Sequence, residues 1–151
     1  MLDVRILTSS DIAVLDQVAP DVFDNALDPA LVIEFLQDRR HHLAVAIDEG
    51  QVVGFASGVH YVHPDKPSEL WINEVGVASS HQGRGIGKAV MQALLQHARR
   101  LGCREAWVLT DRSNEAARRL YASTGGDEAS GDHVMFTFDL ERDDGAGRTG
   151  A

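Results

Sequence analysis

Apolar positions along the chain switch between strand-like and helix-like spacing, and the switches mark the elements. Residues 2–7, with Leu2, Val4 and Ile6 alternating, read as a first strand. Thr8-Ser9-Ser10-Asp11 then supplies helix-capping chemistry, and Ile12, Val14, Leu15 and Val18 follow at helical spacing until Pro20. An acid-rich connector occupies residues 21–28, and Asp28-Pro29 opens a second helix whose apolar face is Leu31, Val32, Phe35 and Leu36. Residues 42–48 and 51–61 are two strands joined by Glu49-Gly50, a hairpin. After the loop Pro64-Asp65-Lys66-Pro67, a long strand runs from Glu69 to Ala78.

A glycine-rich stretch follows, and then an amphipathic helix from about Gly85 to Leu101, with Ile86, Val90, Met91, Leu94, Leu95 and Ala98 on one face. Gly102 stops it, with Arg99 and Arg100 well placed in the last turn. Residues 104–110 form another strand. Asn114 leads into a shorter helix carrying Ala117, Leu120 and Tyr121, ended by Gly125-Gly126. His133 to Leu140 alternates as a final strand, and residues 142–151, without an apolar anchor, are expected to be a disordered tail. The order β, α, α, β, β, β, α, β, α, β makes the fold α/β (α+β), with a mixed, mostly antiparallel central sheet and about four flanking helices in one domain over residues 1–141.

Glu74 breaks the apolar pattern of its strand. Strict alternation places it on the face of Leu70, Ile72 and Gly76, where a carboxylate needs a partner or a cavity. A bulge at Gly76 would upset that parity.

Composition narrows the function. Hydrophobic content of 44% and charged content of 25% are those of an ordinary globular domain. A formal net charge of −9 argues against nucleic acid and against an anionic membrane surface, and is compatible with a cationic substrate. The single cysteine, Cys103, cannot form an internal disulfide and reads as a packing residue. No apolar leader follows Met1, and no run approaches a membrane span, so the cytoplasm is the expected location. No metal-ligand spacing occurs among the seven histidines and Cys103, so no metal is expected.

The chemistry concentrates at Glu74-Val75-Gly76-Val77 and the residues after it. Gln82-Gly83-Arg84-Gly85-Ile86-Gly87-Lys88 places three glycines in five residues between a strand and a helix start. Amides at a helix N-terminus lack intrahelical partners and sit in the positive end of the macrodipole, so this is a socket for phosphate.

These residues carry a resemblance. Gln82-Gly83-Arg84-Gly85-Ile86-Gly87 matches the Gln/Arg-x-x-Gly-x-Gly/Ala signature of the GCN5-related N-acetyltransferases (GNAT). Asn114-x-x-Ala117-x-x-Leu120-Tyr121-x-x-x-Gly125 resembles that family's second signature. The likeness covers roughly residues 2–140. It implies acetyl-coenzyme A as co-substrate. The loop Gln82–Lys88 would take its pyrophosphate, Val75 and Val77 would pair with the pantetheine arm, and Asn114 would touch that arm. Tyr121 would protonate the departing thiolate. Dimers are common in that family, which makes a homodimer compatible with the chain, though the sequence specifies no interface.

The reaction itself needs a base. An alkyl amine with a pKa near 10.4 is mostly protonated at pH 7, and reaching its neutral form costs about 4–5 kcal/mol. Glu74 is the candidate, acting directly or through water. The Val75 amide is the candidate oxyanion donor.

Acids suggest the acceptor. Asp24 and Asn25 lie in the first connector, Asp111 follows the post-helix strand, and Glu128 follows the double glycine. Tyr61-Val62-His63-Pro64, followed by Trp71-Ile72-Asn73-Glu74, is similar in layout to aminoglycoside 3-N-acetyltransferases. The resulting expectation is acetylation of a primary amine on a cationic small molecule, an aminoglycoside above all. The alternatives are a protein, peptide or polyamine acceptor, or a coenzyme-binding module without turnover.

Overall fold

Glu49 and Gly50 both take positive φ, 50° and 79°, the backbone that a tight two-residue hairpin turn demands. They close the hairpin between β2 (His41–Asp48) and β3 (Gln51–Tyr61). In the computed structural model, which describes residues 1–141, β1 (Asp3–Ile6), β4 (Glu69–Val77) and β5 (Glu105–Val108) complete one five-stranded sheet in the order β1-β2-β3-β4-β5. The first three junctions are antiparallel and β4–β5 is parallel. The parallel junction needs a crossover, and α2 (Ile86–Arg100) provides it.

α2 buries Ile86, Val90, Met91, Leu94 and Ala98 against one face of the sheet. Under it lie Ala44, Ala46, Gly54 and Ala56, small residues that let the helix approach closely. A Cβ on Gly54 would meet Ile86 Cγ2 at 2.6 Å. The opposite face carries Val45 and Phe55, covered by Phe23, whose ring stacks on that of Phe55 at 4.1 Å. α1 (Pro29–Gln37) starts as its sequence predicts, with the Asp28 carboxylate accepting from the Ala30 amide at 2.9 Å. α3 (Glu115–Ser123) follows β5 and buries none of its residues fully.

Three imidazoles form a chain between the sheet and the C-terminal half of α2. His42 Nε2 lies 2.7 Å from His60 Nδ1, and His97 Nε2 lies 3.0 Å from His42 Nδ1. Burial pushes all three below the ordinary histidine value, His42 to about 4.

Two expectations need correction. The first helix is a 3-10 helix over Ser9–Asp16, interrupted at Asp11 (φ −106°, ψ 18°). Its eight residues include β-branched Ile12 and Val14, and the Thr8–Asp11 capping box tightens the first turn, conditions that favour a short 3-10 piece over an α-helix. Residues 133–140 are not a strand of this sheet. They run without regular structure and every one is exposed. Their alternation is strand-like, but β5 remains the edge of the sheet. The tail at 142–151 lies outside the described residues.

Candidate active site

The strand β4 is longer than its neighbour. It pairs with β5 only from Glu69 to Ile72, opposite Glu105 to Val108. From Glu74 to Val77 it pairs with β3 alone, so its other edge is open. The Ala78 amide donates to Val53 O at 2.8 Å. Backbone groups alternate in direction along an antiparallel ladder. Glu74 and Gly76 therefore turn their amides toward β3, and Val75 and Val77 turn theirs into the gap. The Gln82 side chain reaches the same edge, its Nε2 donating to Val77 O at 3.4 Å.

The glycine loop closes one end of this gap. Gly83 and Gly85 have φ of 76° and 79°, left-handed backbone that favours glycine. A Cβ at either position would meet nothing within 4 Å, so backbone shape and not clearance demands the glycines. Gly85 is also the N-cap of α2 and offers no side-chain cap, which leaves the first-turn amides of α2 without a side-chain acceptor. Ile86, 3% exposed, pins the helix start to the core. Arg84 and Lys88 are exposed on either side of it, and neither is in an ion pair with a described residue. His81, just before the loop, bonds the Asp48 carboxylate at 2.9 Å, which holds that acid below the usual carboxylate range and ties the loop to the β2–β3 turn.

Glu74 owes its direction to a bulge. Ser57 faces Glu74 in the β3–β4 ladder, and the next β3 residue, Gly58, faces Ile72. Asn73 is the extra residue, so the bulge is there and not at Gly76. The parity expected from strict alternation is thereby corrected: Glu74 stands on the face of Trp71, opposite Leu70 and Ile72. That face is exposed at Glu74 and lined by aromatics. The Trp71 and Trp107 rings stack at 5.5 Å, and Trp107 Nε1 donates to Tyr61 Oη at 2.7 Å. Tyr61 packs edge-on against His63, which bonds Glu69 at 2.7 Å.

Gly76 shows why the first connector lies here. A Cβ on it would strike the Val22 carbonyl and approach the Phe55 ring to 2.7 Å. Asp21 accepts from the Ser79 hydroxyl, and from the Ser79 amide at 3.2 Å, so the connector is clamped to the end of β4. Asp24 and Asn25, both exposed, line a cavity of about 500 Å³ beside Phe23.

On the other side, α3 meets the loop through Leu120, which a Cβ on Gly87 would touch at 3.4 Å. Asn114 caps α3, its Oδ1 accepting from the Ala117 amide at 3.1 Å. Tyr121 is half-buried, and burial raises its phenol above the ordinary value. Asp111 is exposed at the turn before the cap. Glu128 is already matched: Arg118 and Arg112 both bond it, at 2.9 Å each, and hold it below the usual range. Among the described residues no group of three His, Cys, Asp or Glu side chains is arranged to hold a metal ion, and no helix is long and apolar enough to cross a membrane.

Residues 11–125 match the acetyltransferase (GNAT) family model. The chain belongs to that family. It is 36% identical over 104 residues to the N-alpha-acetyltransferase RimI of Mycobacterium tuberculosis, an alignment covering 69% of this chain and 63% of that protein. It is 42% identical over 55 residues to the L-2,4-diaminobutyric acid acetyltransferase of Virgibacillus pantothenticus, covering 36% and 33%. The matched stretch thus spans less than two thirds of either relative. Among solved structures, an aminoglycoside acetyltransferase from an uncultured soil metagenomic sample, in complex with trehalose, superposes with a TM-score of 0.78 at 22% identity, covering 91% of this chain and 97% of that one.

Within the GNAT frame, the structure brings Val75, Val77 and Gln82–Lys88 to one end of the sheet, with Tyr121 on the helix that packs there. Tyr61 lies at the far end of β3. It stands four positions along the strand from Ser57, the partner of Glu74, or roughly 13 Å at about 3.3 Å per residue. Sequence reasoning missed Trp71 and Trp107 as one platform. Each is flanked on its strand by apolar residues, Leu70 and Ile72 or Ala106 and Val108, so neither stands out locally, and only the parallel register, which sets one opposite the other, reveals the pair.

Proposed function

We propose that this protein is an acetyl-coenzyme A-dependent N-acetyltransferase whose acceptor is a primary amine on an extended cationic small molecule of aminoglycoside type. Acetyltransferases of the GNAT family draw their acetyl group from that coenzyme. The observation that carries the reading is the division of labour on β4. Val75 and Val77 direct their backbones into the gap beside β5, while Glu74, one residue away, faces the aromatic surface.

The edge of β4 is open to a strand-like partner because β5 stops pairing with it at Val108. The pantetheine arm would enter there, bonding the Val75 and Val77 backbones, with Asn114 at its edge. The pyrophosphate would lie on the amides of Gln82–Lys88, with Arg84 and Lys88 as counter-charges. The Val75 amide would then point at the thioester oxygen, where negative charge develops.

On the other side of β4, Glu74 would take a proton from the acceptor ammonium, directly or through water. The freed amine attacks the thioester carbonyl carbon, the carbonyl re-forms as the carbon–sulfur bond breaks, and the nitrogen gives up its second proton to water. Tyr121 would supply the proton to the departing thiolate. Its raised pKa keeps the phenol protonated at neutral pH, the state a donor needs. Relative to a thiol near 8.5, the transfer is uphill by about 2 kcal/mol or more, small enough for a transient step.

The acceptor reading rests on charge and shape. Glu74, Asp24 and Asp111 are exposed acids at the rim, and the chain carries −9 overall. Trp71, Trp107 and Tyr61 offer ring faces to sugar C–H groups and ammonium centres. An acceptor that reaches both Glu74 and Tyr61 must be extended. A panel of aminoglycosides, linear polyamines and peptides, each incubated with acetyl-coenzyme A and read by product mass, tests this. Acetylation confined to aminoglycosides supports the proposal, and none on any amine contradicts it. The identity to RimI favours a second acceptor, a protein N-terminal amine, which acetylation of peptides alone would establish instead.

A further inference from the structure

Among the described residues, two that are not glycine take positive φ: Glu49, and Asp21 at 59°. Glu49 belongs to the hairpin turn. Asp21 bounds no hairpin, and a residue held in left-handed backbone points to a constraint from its surroundings. Asparagine or glycine would serve the turn as well. What the carboxylate adds lies across the molecule. Both of its oxygens accept from Ser79, Oδ1 from the amide at 3.2 Å and Oδ2 from the hydroxyl.

The two partners sit at the starts of two different segments. Ser79 opens the 3-10 turn Ser79–His81, which leads from β4 into the glycine loop. Asp21 opens the connector to α1. That connector is anchored before it by the Ala19 amide, which donates to Val52 O at 2.9 Å, and after it by the cap at Asp28. Among the described residues, Asp21 alone carries hydrogen bonds from residues 20–27 to the rest of the molecule. The other holds are packing: the Val22 carbonyl over Gly76, and the Phe23 ring on Phe55. Apolar packing is non-directional and tolerates a slide along β4. A carboxylate that takes two donors from one residue does not, because both bonds fix its direction.

We infer that Asp21 is a positioning residue for the acceptor. Through Ser79 it registers the wall formed by Phe23, Asp24 and Asn25, which line the cavity beside β4, against the loop that takes the coenzyme. Asp21 itself touches neither substrate. The inference rests on the acetyltransferase reading and names the contact that sets its two halves at a fixed distance.

Steady-state kinetics with acetyl-coenzyme A and the best acceptor amine of the panel test it, on Asp21→Gly, Ser79→Ala and the two together. Glycine adopts the φ of Asp21 freely, so Asp21→Gly keeps the turn and removes the carboxylate. Ser79→Ala leaves the turn untouched and removes the hydroxyl. Each should raise the acceptor KM about 3- to 10-fold, the scale of one net hydrogen bond, with kcat and the coenzyme KM nearly unchanged. The double variant should be no worse than the more affected single, because both remove the same link. Ser79→Thr, which retains a hydroxyl, should keep the wild-type KM. Thermal melts report folding, and Ser79→Ala decides the matter if Asp21→Gly unfolds. An acceptor KM unmoved in Ser79→Ala overturns the inference. So do additive effects in the double variant, or equal rises in both KM values, which mark a general loosening. A wild type that acetylates no amine overturns the acetyltransferase reading, and this inference with it.

Discussion

Glu74 lies opposite Ser57, while Ile72 lies opposite Gly58, so the ladder between β3 and β4 skips Asn73. That one unmatched residue separates an apolar half of β4, packed under α2, from a half that presents a carboxylate on the exposed face of Trp71. Deleting Asn73 should therefore turn Glu74 toward α2 or shift the glycine loop by one residue. Either outcome predicts a loss of kcat/KM of more than about 100-fold, the scale of a displaced catalytic base. Asn73→Ala keeps the bulge and should stay within a few-fold of wild type. Steady-state kinetics on the two variants, with thermal melts to report folding, checks this.

In the proposed coenzyme site Gly85 would act through its backbone. Its φ of 79° would cost an alanine about 1–2 kcal/mol. If the loop relaxes instead, the α2 amides move away from the phosphate position. Gly85→Ala should lower the melting temperature or weaken acetyl-coenzyme A binding several-fold, and calorimetry with the coenzyme distinguishes the two. A variant unchanged in both would remove the loop from the binding account.

Gly76 holds the 21–28 connector close to β4, on the proposed acceptor side. Its missing Cβ makes room for the Val22 carbonyl and the Phe55 ring. Gly76→Ala should cost about 1–3 kcal/mol by overpacking and should push the 21–28 connector outward. The expected kinetic signature is a raised KM for the acceptor with a nearly unchanged KM for the coenzyme.

Acid should weaken the fold through His42. Its folded pKa of about 4 lies below the unfolded value of about 6.5, because burial disfavours the charged ring. The unfolded chain then binds more protons than the native one, so stability rises with pH across that window. The contribution is fully present above about pH 6.5 and lost as pH falls toward 4. For His42 it amounts to up to about 3 kcal/mol, and His60 and His97 act in the same direction. Urea melts at pH 7, 5.5 and 4.5 measure it. His42→Leu should flatten the dependence, and an equally steep dependence in that variant would assign it to other groups.

Much of this architecture was legible in the chain because local chemistry sets it. Gly50, Asp28-Pro29 and the loop glycines are positions where backbone geometry selects the residue, and each element they bound lies where the spacing predicts. What escaped was decided by pairing across the sheet. The bulge at Asn73 depends on β3. The chain of His42, His60 and His97 needs three distant segments to meet, and no local spacing announces it. The Trp71–Trp107 stack needs the β4–β5 register. The strand expected at 133–140 has the right alternation, but alternation states that a segment can pair and not that a strand lies beside it. The pairing of Glu128 with Arg112 and Arg118 likewise forms only when the chain returns past α3.

The most direct measurement of the central claim is kcat/KM for the best acceptor of the panel against pH, for wild type and Glu74→Gln, with acetyl-coenzyme A saturating. If Glu74 removes the proton of the ammonium, the variant should lose about 100-fold or more near pH 7. It should recover part of that loss as rising pH supplies the neutral amine. Two profiles that superimpose from pH 6 to 9 would contradict the account.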